Sequence, residues 1–156
     1  MPGGSGGCIV TRVLVLHGPN LNLLGTREPE FYGDLTLEEI DRRIAERASE
    51  LGADVTSRQS NLEGELVTWI QEADGTANAV ILNPGGYSHT SVVIRDAIAA
   101  VKVPVIEVHL SNPAAREEFR KTDLVAGVCA GVISGFGWRS YVLALEAIVK
   151  GGPPNR

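Results

Sequence analysis

An α/β fold, with a five-stranded parallel sheet covered by helices on both faces, is what this sequence predicts. Three observations carry that expectation. Short apolar runs alternate with amphipathic segments five times along the chain, the pattern of strand, helix, strand units with right-handed crossovers. The 156 residues suffice for one domain with a sizeable core. The composition, 44% apolar and 21% charged, is that of a globular protein rather than a disordered one. Five such units in one domain are most simply doubly wound and flavodoxin-like, with strand order 2-1-3-4-5.

Residues 12–17 (RVLVLH) form the first expected strand. Residues 18–33 (GPNLNLLGTREPEFYG) show neither a 3.6-residue nor a 2-residue apolar rhythm, and glycines and prolines punctuate them, so a long loop is expected. In residues 36–52, Thr36 and Glu39 have the spacing of a capping box, and Leu37, Ile40, Ile44, Ala48 and Leu51 share a helical face ended by Gly52. Residues 53–59 (ADVTSRQ) read as a polar strand at a sheet edge. Ser60 and Glu63 repeat the capping-box spacing ahead of a helix that places Leu62, Leu66, Trp69, Ile70 and Ala73 together.

A continuous apolar run at 77–83 predicts the third strand. Residues 90–101 predict a helix with Val93, Ile94, Ala97, Ile98 and Val101 inward. Residues 104–109 (PVIEVH) make the fourth strand, with a proline tolerable at its first position. A short helix at 112–120, a fifth strand at 127–133 and a last helix at 138–150 complete the pattern. The expected organisation is one domain over residues 11–150 between flexible tails at 1–10 and 151–156.

Composition also excludes. A net charge of −5, with no basic patch and no RNA-reading aromatic motif, argues against nucleic acid or an anionic membrane surface as partner. No apolar run approaches membrane-spanning length, and residues 1–7 (MPGGSGG) lack the regions of a signal peptide. Cys8 and Cys129 suggest neither a disulfide framework nor a CxxC site, so a reducing compartment is expected. His17, His89 and His109 show no ligand spacing, there is no Walker loop or GxGxxG after the first strand, and GVISGFG is not a GxSxG elbow.

In a sheet of this order, ligands sit beyond the carboxyl ends of the strands, where strands one and three diverge. Asn20, Asn22, Arg27 and Tyr32 follow the first strand. Asn83, Gly85, Gly86, Ser88 and His89 end or follow the third, and Glu107, His109, Ser111 and Asn112 end or follow the fourth. A guanidinium beside a phenol favours phenolate and lowers a reference pKa of about 10, so Arg27 with Tyr32 suits a base. Glu107 and His109, two apart on a strand, face one side, and the carboxylate orients the imidazole and favours its protonated form, which suits an acid. Each motif also has a plainer reading: a solvated loop, or a structural Glu and His pair. Ser88 and His89 fit a helix cap as well as a ligand contact. Arg116 and Arg120 lie four apart on the expected short helix; Arg120 fits a ligand hydroxyl or carboxylate, and pairing with Glu117 or Glu118 is its commoner alternative. Gly85 and Gly86 permit close backbone approach to a ligand.

Taken together, GPNLNLLGTREPEFYG, QSNLEGELVTWI, NPGGYSHTS, RDAI, EVHLSN and AREEFR resemble, in order, the signature blocks of the type II 3-dehydroquinate dehydratases, from the first strand to the last helix. The resemblance implies a cofactor-free, cytoplasmic hydro-lyase converting 3-dehydroquinate to 3-dehydroshikimate, in aromatic biosynthesis or quinate breakdown, and a dodecamer built from trimers. It implies Tyr32 as base with Arg27 as its activating lid arginine, and His109 as acid oriented by Glu107. Asn20 would hold a water near the enolate oxygen. Asn83, Leu110 and Ser111 would bind the ring and carboxylate, His89 and Arg120 the ring hydroxyls, and Asp96 would reach a neighbouring subunit's site. Lys102, Lys121 and Lys150 are poorly placed for an imine, which favours an enolate route.

The sequence departs from the family pattern at Leu62, where histidine is common, Gly86, where alanine is frequent, and Ser140, where glycine is usual. The stretch 121–126 (KTDLVA) also replaces one that usually contains histidine and serine. Rival readings on the same fold are a phosphoacceptor signalling domain, which needs acidic residues where His17 and Asn83 stand, and a flavin carrier, which wants a Ser/Thr-rich phosphate loop. An inactive relative kept for assembly is a third.

Overall fold

A computed structural model of the chain describes residues 9–26 and 28–152. Five parallel strands, β1 (Arg12–His17), β2 (Asp54–Gln59), β3 (Ala79–Asn83), β4 (Val105–His109) and β5 (Gly131–Ser134), lie in the order β2-β1-β3-β4-β5. The expected doubly wound topology is therefore the observed one, with β2 at an edge.

Because side chains alternate along a strand, each buried strand feeds two cores. Val13, Val15, Ile81, Ile106 and Val108 pack with Ile40, Ile44, Ala48, Tyr141 and Leu145 of α2 (Leu37–Glu50) and α5 (Arg139–Gly151). Leu16, Val80, Leu82 and Val105 pack on the other face with Leu66, Ile70, Ile94 and Ile98 of α3 (Glu63–Ala73) and α4 (Val92–Ala100). Glu107 and His109 share the parity of Val105 and so look to this second face.

The capping box at Thr36 and Glu39 forms, with Glu39 N–H donating to Thr36 Oγ1 and Thr36 N–H donating to Glu39 Oε2. Gly52, at φ 70°, lets Ala53 N–H turn back to Ala48 O and close the helix. The second box does not form. Ser60 Oγ instead accepts from Leu62 N–H in a tight turn, Leu62 becomes the N-cap, and its side chain is 65% exposed rather than on the buried face. Val93 is likewise exposed, since α4 begins only at Val92 after Ser91, whose Oγ accepts from Ile94 N–H.

Two other segments differ from expectation. Residues 18–33 contain a 3-10 turn at Leu21–Leu23 and a single helical turn, α1 (Pro29–Tyr32), too short to show periodicity. Residues 112–120 are two separate 3-10 turns, Pro113–Ala115 and Glu118–Lys121, split at Arg116, whose φ of −111° and ψ of −158° are extended. Asn112 caps the first turn, its Oδ1 accepting from Ala114 N–H. The fifth strand begins at Gly131 rather than 127, behind a 3-10 turn at Ala126–Val128.

At the carboxyl end of the sheet the backbones after β1 and β3 touch. Gly18 N–H donates to Asn83 O at 2.8 Å, and a Cβ on Gly18 would stand 2.7 Å from Pro84 O. Only glycine permits that approach. Gly85, at φ 57°, has its open side filled by Pro19, so its freedom serves the same loop contact rather than a ligand; Gly86 faces open space.

Candidate active site

These loops enclose a cavity of about 290 Å³ over the ends of β1, β3 and β4. Of the residues singled out in the sequence, Asn20, Tyr32, Asn83, His89, His109, Leu110, Ser111 and Arg120 line it. Glu107 lies beneath, fully buried. Arg27 lies outside the described residues. Asp96 is on the exposed side of α4, beside Arg95 at 3.6 Å, and does not line the cavity of its own chain. A second cavity of about 520 Å³ adjoins the first across Tyr32, Leu110, Ser111 and Arg116, and extends to Arg43 and Trp138.

Arg116 is the residue that sequence reasoning left without a role. Its side chain is only 4% exposed, its Nη1 donates to Tyr32 Oη at 2.7 Å, and its guanidinium lies 4.3 Å over the Phe31 ring with Glu28 3.8 Å away. Treating 112–120 as one helix put Arg116 on a helical face with Arg120. The break at Arg116 instead swings it beneath α1. Its place in the AREEFR block was the available signal. Arg120 lines the cavity while its Nε donates to Glu117 Oε2 at 2.7 Å, so both of its expected contacts are compatible.

Across the cavity from Tyr32, His109 Nε2 donates to Glu107 Oε1 at 2.7 Å, which leaves Nδ1 for the cavity. Burial pushes the Glu107 carboxyl up to about 7; the His109 contact opposes that rise and the Asp123 carboxyl adds to it. Glu107 Oε2 has no hydrogen-bond partner. Asp123 Oδ2 lies 4.0 Å from His109 Nε2. These three donor groups fall within 4.8 Å of one another, but Nε2 is committed to Glu107 and Asp123 Oδ1 to two backbone amides.

The floor of the cavity is set by a buried row of hydrogen bonds. Gly85 N–H donates to Asn83 Oδ1, so Asn83 Nδ2 faces Tyr141 and donates to its hydroxyl at 3.0 Å. That hydroxyl in turn donates to His17 Nδ1 at 2.8 Å, and His17 Nε2 donates to Asp41 Oδ1 at 2.7 Å. Burial holds the Tyr141 phenol far above its ordinary value, which keeps it a neutral donor. His89 neither caps α4 nor stands free: its Nδ1 donates to Thr122 O at 2.7 Å, and Ser88 Oγ donates to Gly85 O.

The arrangement offers a phenol in contact with a cation on one wall, an imidazole backed by a carboxyl on the other, and amide donors at the floor. Such a set can remove one proton and supply another across a small polar ligand. Among the described residues, no helix is long and apolar enough to cross a membrane.

Residues 11–149 match the family model described as Dehydroquinase class II. The chain is 58% identical over 135 residues to a 3-dehydroquinate dehydratase of Phenylobacterium zucineum, covering 86% of this chain and 93% of the relative. It is 56% identical over 139 residues to one of Desulforudis audaxviator, covering 89% and 93%. Among solved structures, the type II dehydroquinase of Propionibacterium acnes superposes with a TM-score of 0.88 at 42% identity, covering 91% of this chain and 98% of that one. The type II dehydroquinase of Butyrivibrio crossotus gives 0.87 at 40% identity, covering 89% and 97%.

Proposed function

We propose that this chain, which belongs to the dehydroquinase class II family, is a 3-dehydroquinate dehydratase that forms 3-dehydroshikimate through an enolate. The observation that carries the mechanism is the pairing of two opposed groups on one cavity, the Tyr32 hydroxyl held by Arg116 and the His109 imidazole held by Glu107.

In this reading Tyr32, as phenolate, takes the proton from the carbon beside the ketone, and the electron pair moves onto the ketone oxygen. The guanidinium of Arg116 is the charge complement that a phenolate needs, and Arg27 is a second cation in the same loop. As the enolate collapses, the hydroxyl leaves with the proton of His109, so one molecule of water and a conjugated enone are formed. Tyr32 then returns its proton and His109 regains one through solvent. Asn20, with a water, faces the enolate oxygen. Asn83, with the backbone of Leu110 and Ser111, takes the carboxylate and ring, and His89 and Arg120 take the ring hydroxyls. Asp96, on the exposed side of α4, suits contact with a neighbouring subunit, as a dodecamer built from trimers in the cytoplasm would provide. No step calls for a metal or an imine.

The test is to add 3-dehydroquinate to the purified protein and follow the ultraviolet absorbance of the enone. Turnover that survives borohydride in the presence of substrate is expected, because no lysine forms an imine. Tyr32→Phe and His109→Ala should each lower kcat by at least about 10²-fold, the scale of general acid and base catalysis. Wild-type rates in either variant would reassign that role.

A further inference from the structure

The strap between the 3-10 turn at Glu118–Lys121 and β5 carries an acidic group that the chemistry so far leaves unused. Asp123 Oδ1 accepts from both Val125 N–H and Ala126 N–H at 2.9 Å, which fixes the carboxyl group and turns Oδ2 toward His109, 4.0 Å from Nε2. A Glu107 carboxyl oxygen lies within 4.8 Å of this carboxylate, and Glu107 Oε2 is buried without a hydrogen-bond partner. A buried carboxylate oxygen left in this way is costly unless it carries a proton that finds an acceptor. Asp123 is the acceptor at hand, and it is 26% exposed where Glu107 is wholly enclosed.

We propose that Asp123 is a positioning residue of the acid: it receives the proton held on Glu107 Oε2 and itself supplies the negative charge that keeps the His109 imidazole protonated. The proposal rests on the reading of His109 as the acid. It divides two tasks that a lone Glu and His pair must combine. Glu107, neutral and buried, orients the ring through Oε1. The charge sits on the more exposed carboxylate, where water screens part of its solvation cost. The rise of the Glu107 carboxyl to about 7, to which Asp123 contributes, agrees with this division.

The other ionisable groups around the cluster are committed elsewhere. His89 donates to Thr122 O, Arg120 pairs with Glu117, and Arg116 is bound to Tyr32 on the far wall. They are the same in the enzyme and in a variant at Asp123, so, with Glu107 itself made neutral as glutamine, a comparison isolates that one charge.

Asp123→Asn keeps an Oδ1 for the amides of Val125 and Ala126, so the strap retains its turn, while its new N–H group donates to Glu107 Oε2 and favours the ionised carboxylate. Two readouts follow. A unit charge removed from 4 Å shifts a titration by about 0.7 pH unit even at the screening of water. With Glu107 held neutral as glutamine, the added change Asp123→Asn should therefore move the alkaline limb of kcat/KM down by at least about 0.7 pH unit relative to Glu107→Gln alone. In difference infrared spectra, a protonated buried carboxyl that titrates near neutrality, assigned by its loss in Glu107→Gln, should be absent from Asp123→Asn at pH 6. In the same Glu107→Gln background Asp123→Glu, which restores the charge, should restore the limb. Glu118→Gln, which removes an 87% exposed carboxylate from the same segment, should leave it in place. Lower turnover with an unmoved limb would reduce Asp123 to a cap of its own turn and overturn the proposal, as would a carboxyl band that persists in Asp123→Asn. The infrared titration needs no substrate, so it decides the hold of Asp123 on Glu107 even if the dehydratase reading were to fail.

Discussion

Replacing Glu107 by glutamine should make the protein more stable, and only above about pH 5. The native carboxyl titrates at about 7 against an ordinary 4.5, because burial disfavours its ionised form. Between those values the native state keeps a proton that the unfolded chain has released, so stability falls as pH rises. The interval spans roughly 2.5 pH units at about 1.4 kcal/mol each, which amounts to about 3 kcal/mol lost by pH 8. Glutamine is neutral throughout, its Oε1 can still accept from His109 and its amide can donate to Asp123. The variant should match the wild type near pH 4 and exceed it by about 3 kcal/mol at pH 8, or roughly 6 °C or more in Tm for a chain of this length. Thermal and urea unfolding followed by circular dichroism from pH 4 to 8.5 measures both curves. Titrations common to the two proteins cancel in the difference. Parallel curves, with no divergence between pH 5 and 8, would refute the claim that this carboxyl is held neutral by burial.

Two other perturbations test the remaining walls of the site. Arg116→Ala removes the cation at Tyr32 Oη and should lower kcat at least tenfold, while Arg116→Lys, which lacks the planar fork, recovers only part of it; equal rates in all three proteins would leave Tyr32 without its charge complement. Tyr141→Phe strips the hydroxyl that joins His17 to Asn83 and should cost about 1–3 kcal/mol of stability. It should also raise KM about tenfold with a smaller change in kcat, since it frees the Asn83 amide rather than the reacting groups; an unchanged KM would show that the amide is held by other means.

What the sequence made legible follows the range of the physical signal. β1 was found to the residue because an apolar run bounded by a charged residue and a Gly-Pro pair is a local pattern, and the Thr36 and Glu39 box formed because its two bonds involve only residues three apart. The same local rule failed at Ser60, where the side chain satisfied Leu62 N–H two residues on instead. The pairing of Glu107 with His109 was also local, an alternation along one strand. Arg116 with Tyr32 joins residues 84 apart in sequence, and His17 with Tyr141 joins residues 124 apart. Neither spacing carries a periodic signal. Asp123 belonged to the stretch that strayed from the family pattern, so its meaning could only come from what the folded strap placed beside it.

The row from Asp41 through His17 and Tyr141 to Asn83 gives the molecule a lever that runs from its outside to its working chamber. Every link has one giver and one taker, so turning any member around leaves some neighbour in the dark interior without a mate. The amide at the chamber floor is thereby locked in orientation by a carboxylate that sits 33% open to water on α2. Substitutions on that outer helix, chosen for reasons unrelated to the reaction, would still be felt where the reactant rests.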